Sequence, residues 1–199
     1  YVYGYNENVP MIAAGCMKLP IAVSLIKAVE DKKVDFMDKV KIQSGDKVYG
    51  TGIIHEFNER EYTVFELLVI MLIQSDNTAA NKIIDIVGME QINEDIIAMG
   101  LKNTRLNRKT NDERTAITDV ENITTAYDLS RIWKHLANGT FLSKDNGQML
   151  IDILRRQQIK NKLALYIPDD LKIEISSKTG DKKGVENDTA YLELPKGKF

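Results

Sequence analysis

Three short clusters carry side chains able to do acid–base or carboxylate chemistry. The first is Ala14-Gly15-Cys16-Met17-Lys18, at the head of a strongly apolar stretch. A lysine at the mouth of an apolar helix loses hydration, which disfavours its charged form and lowers its pKa. Such an amine can serve as a general base, while the plainer reading is a lysine snorkelling at a helix end. The second is Gln74-Ser75-Asp76-Asn77, between two apolar segments. Ser, Asp and Asn are ordinary helix-boundary residues, so taken alone this cluster reads as a cap. The third is Ser177-Lys178-Thr179-Gly180. A lysine, a hydroxyl and a glycine on one strand edge can hold a carboxylate while the backbone approaches a ligand closely; a strand leading into a turn has the same letters. Each cluster is weak singly. Their order, and their settings at a helix start, a helix–helix junction and a strand end, make one pattern.

The elements that must position them follow from periodicity. Residues 16–30 predict a helix apolar nearly all round, hence internal, with Pro20 in its first turn. Residues 40–60 read as loop. Thr63 and Glu66 fit a capping box ahead of an apolar helix, Val64 to Gln74. Further helices are expected from Thr78 to Val87, closed by Gly88, and from Glu90 to Met99, closed by Gly100. Residues 103–123 are polar, irregular and long for a plain connection, which favours a functional loop. Thr124 is expected to cap a helix through Ala137, and Ser143 another to about Gln158; Trp133 and Tyr127 are expected in the core. Leu171–Ile175 and Tyr191–Leu194 alternate at period 2, with a hairpin turn over Gly180–Gly184. The expectation is an α+β domain: a helical part over about 16–158, and an antiparallel sheet assembled from about 1–13 and 171–199.

Composition narrows the function classes. The chain has 199 residues, 28% charged and 43% apolar, enough for one domain with a real core. Net charge is −2 with Lys and Arg spread along the chain, so the footprint of a nucleic-acid binder is missing. One cysteine excludes an internal disulfide framework and a Cys-based zinc site. His55 and His135 lie far apart and carry no motif, so a His-based metal site is not expected. The longest apolar run, Val64 to Ile73 broken by Glu66, is too short to span a bilayer. The chain opens on Tyr1-Val2-Tyr3 without Met or a basic stretch, the opening expected of a mature or trimmed chain.

With all three clusters in place, the sequence resembles the penicillin-recognising serine hydrolases, most closely the class A β-lactamase-like group, which carries S-x-x-K, S-D-N and K-T-G. Lys18-Leu-Pro-Ile21, Ser75-Asp-Asn-Thr-Ala-Ala-Asn81, Thr104-Arg-Leu-Asn-Arg108, Asn122-Ile-Thr-Thr125 and Asn187-Asp188 extend the resemblance over nearly the whole chain. It implies acyl transfer at a β-lactam or D-Ala-D-Ala-type amide through an ester, without metal or cofactor, and action outside the cytoplasmic membrane. The small-molecule partner would be a β-lactam or cell-wall peptide. By the resemblance, Lys18 takes or relays the nucleophile's proton, Ser75 relays a proton to the leaving nitrogen, and Asp76 holds the turn. Asn77 binds the substrate's side-chain amide, and Lys178 and Thr179 bind its carboxylate. Gly180 lets it lie on the strand edge, and the amides of Gly15 and Asp181 form the oxyanion hole.

Two departures stand out. The position of the nucleophilic serine is Gly15, so the chain as it stands is expected to be inactive as a serine hydrolase. An alternative is a non-catalytic module that binds penicillin or cell-wall peptide, since backbone donors survive loss of the side chain. Cys16 is one residue too late, turned roughly 100° from the face of Lys18 on a helix. The second departure is Thr110, where the group places the glutamate that activates the deacylating water. Asp112 and Glu113 are the nearby carboxylates that could substitute; Glu121 is expected to favour the following helix N-terminus. The resemblance also implies elements before Gly15 and after Asn187-Asp188 that the chain only partly carries. It is therefore expected to look truncated at both ends, with sheet edges that a second chain would complete.

Overall fold

A computed structural model describes residues 3–110, 120–195 and 197–198 of the chain. The clusters are carried on an α+β frame. Strand β1 (Met11–Ile12) and a 3-10 turn (Ala14–Met17) lead into α1 (Lys18–Glu30). Its residues from Leu19 to Ile26 are all buried, as the apolar circumference requires. The one hydroxyl among them, Ser24, donates to Asp95 at 2.5 Å and so is not stranded by its burial. Helices α2 (Val64–Ile73), α3 (Asn77–Val87) and α4 (Met89–Ala98) pack around α1.

The capping box forms as the sequence requires. Thr63 Oγ1 accepts from the Glu66 amide at 3.1 Å, and the Glu66 carboxylate accepts from the Thr63 amide at 2.6 Å. Helix α5 (Ala126–Asn138) begins one residue later than expected. Thr125, not Thr124, is its cap, accepting from the Asp128 amide at 3.1 Å. Thr124 instead ends strand β4 (Ile123–Thr124), with its hydroxyl 2.9 Å from that of Thr104. Helix α6 (Lys144–Arg155), capped by Ser143, stops three residues short of Gln158. Trp133 is buried, stacked on Tyr191 and donating to Thr189 at 2.7 Å. Tyr127, expected in the core, is 40% exposed: it occupies the polar side of α5, below the Arg131 guanidinium.

The β structure departs most from expectation. Residues 40–60 are not all loop: β2 (Lys39–Ile42) pairs antiparallel with β3 (Arg60–Thr63). The C-terminal hairpin is longer than the alternating letters suggest, β5 (Glu174–Lys182) pairing with β6 (Val185–Leu194). Gly180 and Asp181 therefore lie in the strand, and only Lys183 and Gly184 (φ 77°) turn the chain. Alternation fails over residues 176–179 because all four are buried while polar. The N-terminal piece does not join that sheet: β1 pairs with β4, and the C-terminal sheet is β5, β6 and β7 (Gly197–Lys198). Helices α5 and α6 cover one face of the hairpin, which fixes its position against the helical part. Among the described residues, no helix is long and apolar enough to cross a membrane.

Removing the cap hydroxyl in Thr63→Ala is expected to cost about 1 kcal/mol. A chemical denaturation curve should show a lower midpoint at unchanged slope; an unchanged midpoint would contradict the capping role.

Candidate active site

The first two clusters and the β5 strand converge on one cleft of about 290 Å³, with Gly15, Lys18, Ser75, Asn77 and Asp181 among its lining residues. Gly15 sits in the 3-10 turn rather than in the helix proper. Residues three apart eclipse in a 3-10 turn, so position 15 still shares a face with Lys18. Lys18 opens α1 and is buried. Its Nζ donates to the Ser75 carbonyl at 2.6 Å and to Asn77 Oδ1 at 2.8 Å, and lies 3.2 Å from Ser75 Oγ. Burial, and then the charge of Lys178, hold its pKa well below the ordinary lysine value.

Ser75 and Asn77 owe their placement to the α2–α3 junction. Asp76 caps α3, accepting from the Ala79 amide at 2.8 Å, and also from the amides of Ile53 and Ile54 at 2.7 and 2.8 Å. The carboxylate thus ties the cleft wall at 50–54 to the junction. Ser75 itself adopts φ 54°, a left-handed conformation costly for a residue with a Cβ. Asn77 Nδ2 donates to the Tyr49 carbonyl at 3.2 Å, which fixes the amide with Oδ1 toward Lys18.

From β5, Lys178 is wholly buried and donates to Ser75 Oγ at 2.9 Å and to the Thr179 carbonyl at 2.7 Å. Burial lowers its pKa from 10.5 to about 8. No carboxylate among the described residues pairs with either lysine within ion-pair distance. Thr179 is not turned into the open cleft: its hydroxyl accepts from Gln157 Nε2 at 3.2 Å under a buried side chain.

Gly15 and Gly180 face each other closely. A Cβ on Gly180 would lie 2.9 Å from the Gly15 amide nitrogen. A Cβ on Gly15 would lie 2.7 Å from the Thr179 carbonyl oxygen and 3.2 Å from Ser75 Oγ. Cys16 points elsewhere. Its Sγ donates to the Lys178 carbonyl at 3.3 Å, and burial pushes the thiol up to about 12, which leaves it a small core residue rather than a nucleophile.

Thr110 stands on the cleft wall, its amide donating to Asn81 Oδ1 at 2.8 Å and its carbonyl accepting from Asn81 Nδ2 at 3.0 Å. Asp112 and Glu113 lie outside the described residues. Glu121 is not simply a helix-end charge: it accepts from Arg108 at 3.0 Å and from Lys182, spanning the mouth of the cleft. Neither Gln157 nor this charge bridge is legible in the sequence. Both depend on loop ends brought together by the fold, and no local spacing signals them. His135 is satisfied by Thr140 at 2.7 Å and the Met99 carbonyl at 2.9 Å.

This geometry agrees with comparisons to known proteins. The model of the beta-lactamase enzyme family matches residues 1–199. The chain belongs to that family. It is 28% identical over 156 residues to beta-lactamase CTX-M-8 of Citrobacter amalonaticus, covering 77% of this chain and 53% of that protein. The chain thus spans about half the length of the curated relative it matches. The crystal structure of a beta-lactamase from Sphaerobacter thermophilus is 27% identical, with a TM-score of 0.92 over 98% of this chain and 74% of that one. A mutant of PBP-A, solved as an acyl-enzyme complex with penicillin G, is 27% identical with a TM-score of 0.87, covering 98% of this chain and 72% of that one. The family's frame is therefore present here with glycine and threonine at positions 15 and 110.

The lysine burial has a signed consequence for stability. Below about pH 8 Lys178 is protonated in both folded and unfolded chains, and folding bears the full cost of burying the charge. Between about 8 and 10.5 the unfolded chain holds more protons, so this group's contribution to stability rises with pH. The difference in unfolding free energy between the unmodified chain and Lys178→Met should therefore shift in favour of the unmodified chain across that window. A flat or opposite trend would contradict the burial account.

Proposed function

We propose that the cleft binds a β-lactam or a D-Ala-D-Ala-type cell-wall amide, and that residue 15 does not form the acyl-enzyme. The observation carrying this reading is the convergence of Lys18, Ser75, Asn77 and Lys178 beside the backbone amides of Gly15 and Asp181. The Lys178 ammonium and two amides suit an anionic substrate with a polarisable carbonyl. In this reading Lys178 attracts the substrate carboxylate, while Thr179 and Gly180 supply the strand edge. Asn77 meets a substrate amide, and Asp181 and Gly15 contribute oxyanion donors. The setting is outside the cytoplasmic membrane, where such substrates are.

A specific observation favours a second reading, a binding module without turnover. Position 15 has no room for a Cβ without a shift of the Thr179 carbonyl, so the cleft is closed around glycine. Thr110 also offers no carboxylate for activating a water.

Calorimetry with penicillin G and the unmodified chain tests the shared part. Saturable binding is expected, and absence of binding would overturn both readings. Gly15→Ser is expected to gain covalent labelling by penicillin G at position 15. It should also lose about 1–3 kcal/mol of stability, because the added atoms crowd β5.

A further inference from the structure

The mechanism implied by the family leaves Ser75 as a relay between a nucleophile and a leaving nitrogen. In this chain the nucleophile's side chain is absent, and the geometry around Ser75 changes meaning. Among the described residues, the Lys18 amine has three hydrogen-bond partners. Two of them, the Ser75 carbonyl at 2.6 Å and Asn77 Oδ1 at 2.8 Å, can only accept a hydrogen bond. The third and longest, Ser75 Oγ at 3.2 Å, is the one group there able to give a proton. A neutral amine has two N–H bonds and one lone pair. As an ammonium Lys18 donates to all three oxygens; once it has given up a proton, the two acceptors can hold its N–H bonds and leave the lone pair for the serine hydroxyl.

Lys178 completes the polarity. Its ammonium donates to Ser75 Oγ at 2.9 Å and to the Thr179 carbonyl at 2.7 Å. Occupying one lone pair of Oγ, it leaves the O–H bond free to point toward Lys18. Ser75 and Gly15 both line the cleft, and glycine keeps a Cβ from standing 3.2 Å from Ser75 Oγ. The depressed pKa of Lys18 accords with this proton arrangement.

We propose that Ser75 is itself a nucleophile in this chain, attacking the carbonyl carbon of a bound β-lactam or D-Ala-D-Ala-type amide with Lys18 as its base. The inference rests on the cleft binding such an amide, as proposed above. The Ser75 Oγ–carbon bond forms and the carbon–nitrogen bond breaks. The serine proton passes to the Lys18 amine and from the resulting ammonium to the leaving nitrogen. Nothing is oxidised or reduced, and a β-lactam ends as a ring-opened ester on Ser75 with no atom lost.

The test uses the unmodified chain with penicillin G, quenched in acid, followed by intact mass and proteolytic mapping, with calorimetry alongside. The expected result is a mass gain of one intact penicillin, mapped to Ser75. The adduct should be absent in Ser75→Ala and form about 100-fold more slowly or worse in Lys18→Met. Binding without an adduct, or an adduct on Lys18 or Cys16, overturns the inference and leaves the binding reading standing. Neither binding nor adduct overturns both. Mapping on the unmodified chain decides the matter even where a variant fails to fold.

Discussion

Two lysines are buried within reach of one serine hydroxyl, and the rest of the site depends on how that is tolerated. Two unpaired ammonium ions in a dry interior would be prohibitively costly. The described residues supply no carboxylate partner, so relief must come from neutral acceptors and from loss of a proton. The Ser75 carbonyl, Asn77 Oδ1 and the Thr179 carbonyl are those acceptors. Each is placed by a different element: the strained turn at Ser75, the first residue of α3, and strand β5. Asp76 then becomes central without touching the lysines. By capping α3 and binding two amides of the 50–54 wall, it holds Ser75 and Asn77 where Lys18 needs them.

The second constraint is backbone against backbone. Gly15 and Gly180 let the 3-10 turn and β5 approach until the amide of one lies under the α-carbon of the other. Cys16 contributes by hydrogen bonding back to β5, which anchors the turn from beneath. At the mouth, Glu121 joins Arg108 to Lys182 and so ties the long loop's end to the hairpin. The cleft is consequently bounded by covalently distant segments held by charge outside and by backbone packing inside.

Much of this is legible in the letters. The apolar circumference of α1, the Thr63–Glu66 box and the three clusters at element boundaries all come from local rules. What local rules miss is tertiary. Residues 176–179 look like a strand fading into a turn, because nothing local says that Ser176 will bond to the Ile151 carbonyl or Lys178 to Ser75. Thr124 looks as good a cap as Thr125; the choice is made by Thr104 from another segment. Thr179 looks like a cleft residue until Gln157 claims its hydroxyl. The N-terminal strand, expected beside the hairpin, instead pairs with β4, two adjacent pairs of residues being enough to fix it.

Lys18 serves Ser75 Oγ as a base only if its amine gives up a proton more readily than an ordinary lysine, the direction that burial imposes. Nitrogen-detected NMR of the lysine side chains, with the Lys18 resonance assigned by its loss in Lys18→Met, measures this directly. Lys18 is expected to titrate well below the surface lysines and to carry a neutral-amine signal while they remain charged. A Lys18 signal that stays ammonium and titrates with the surface lysines, near the ordinary value of 10.5, would contradict it.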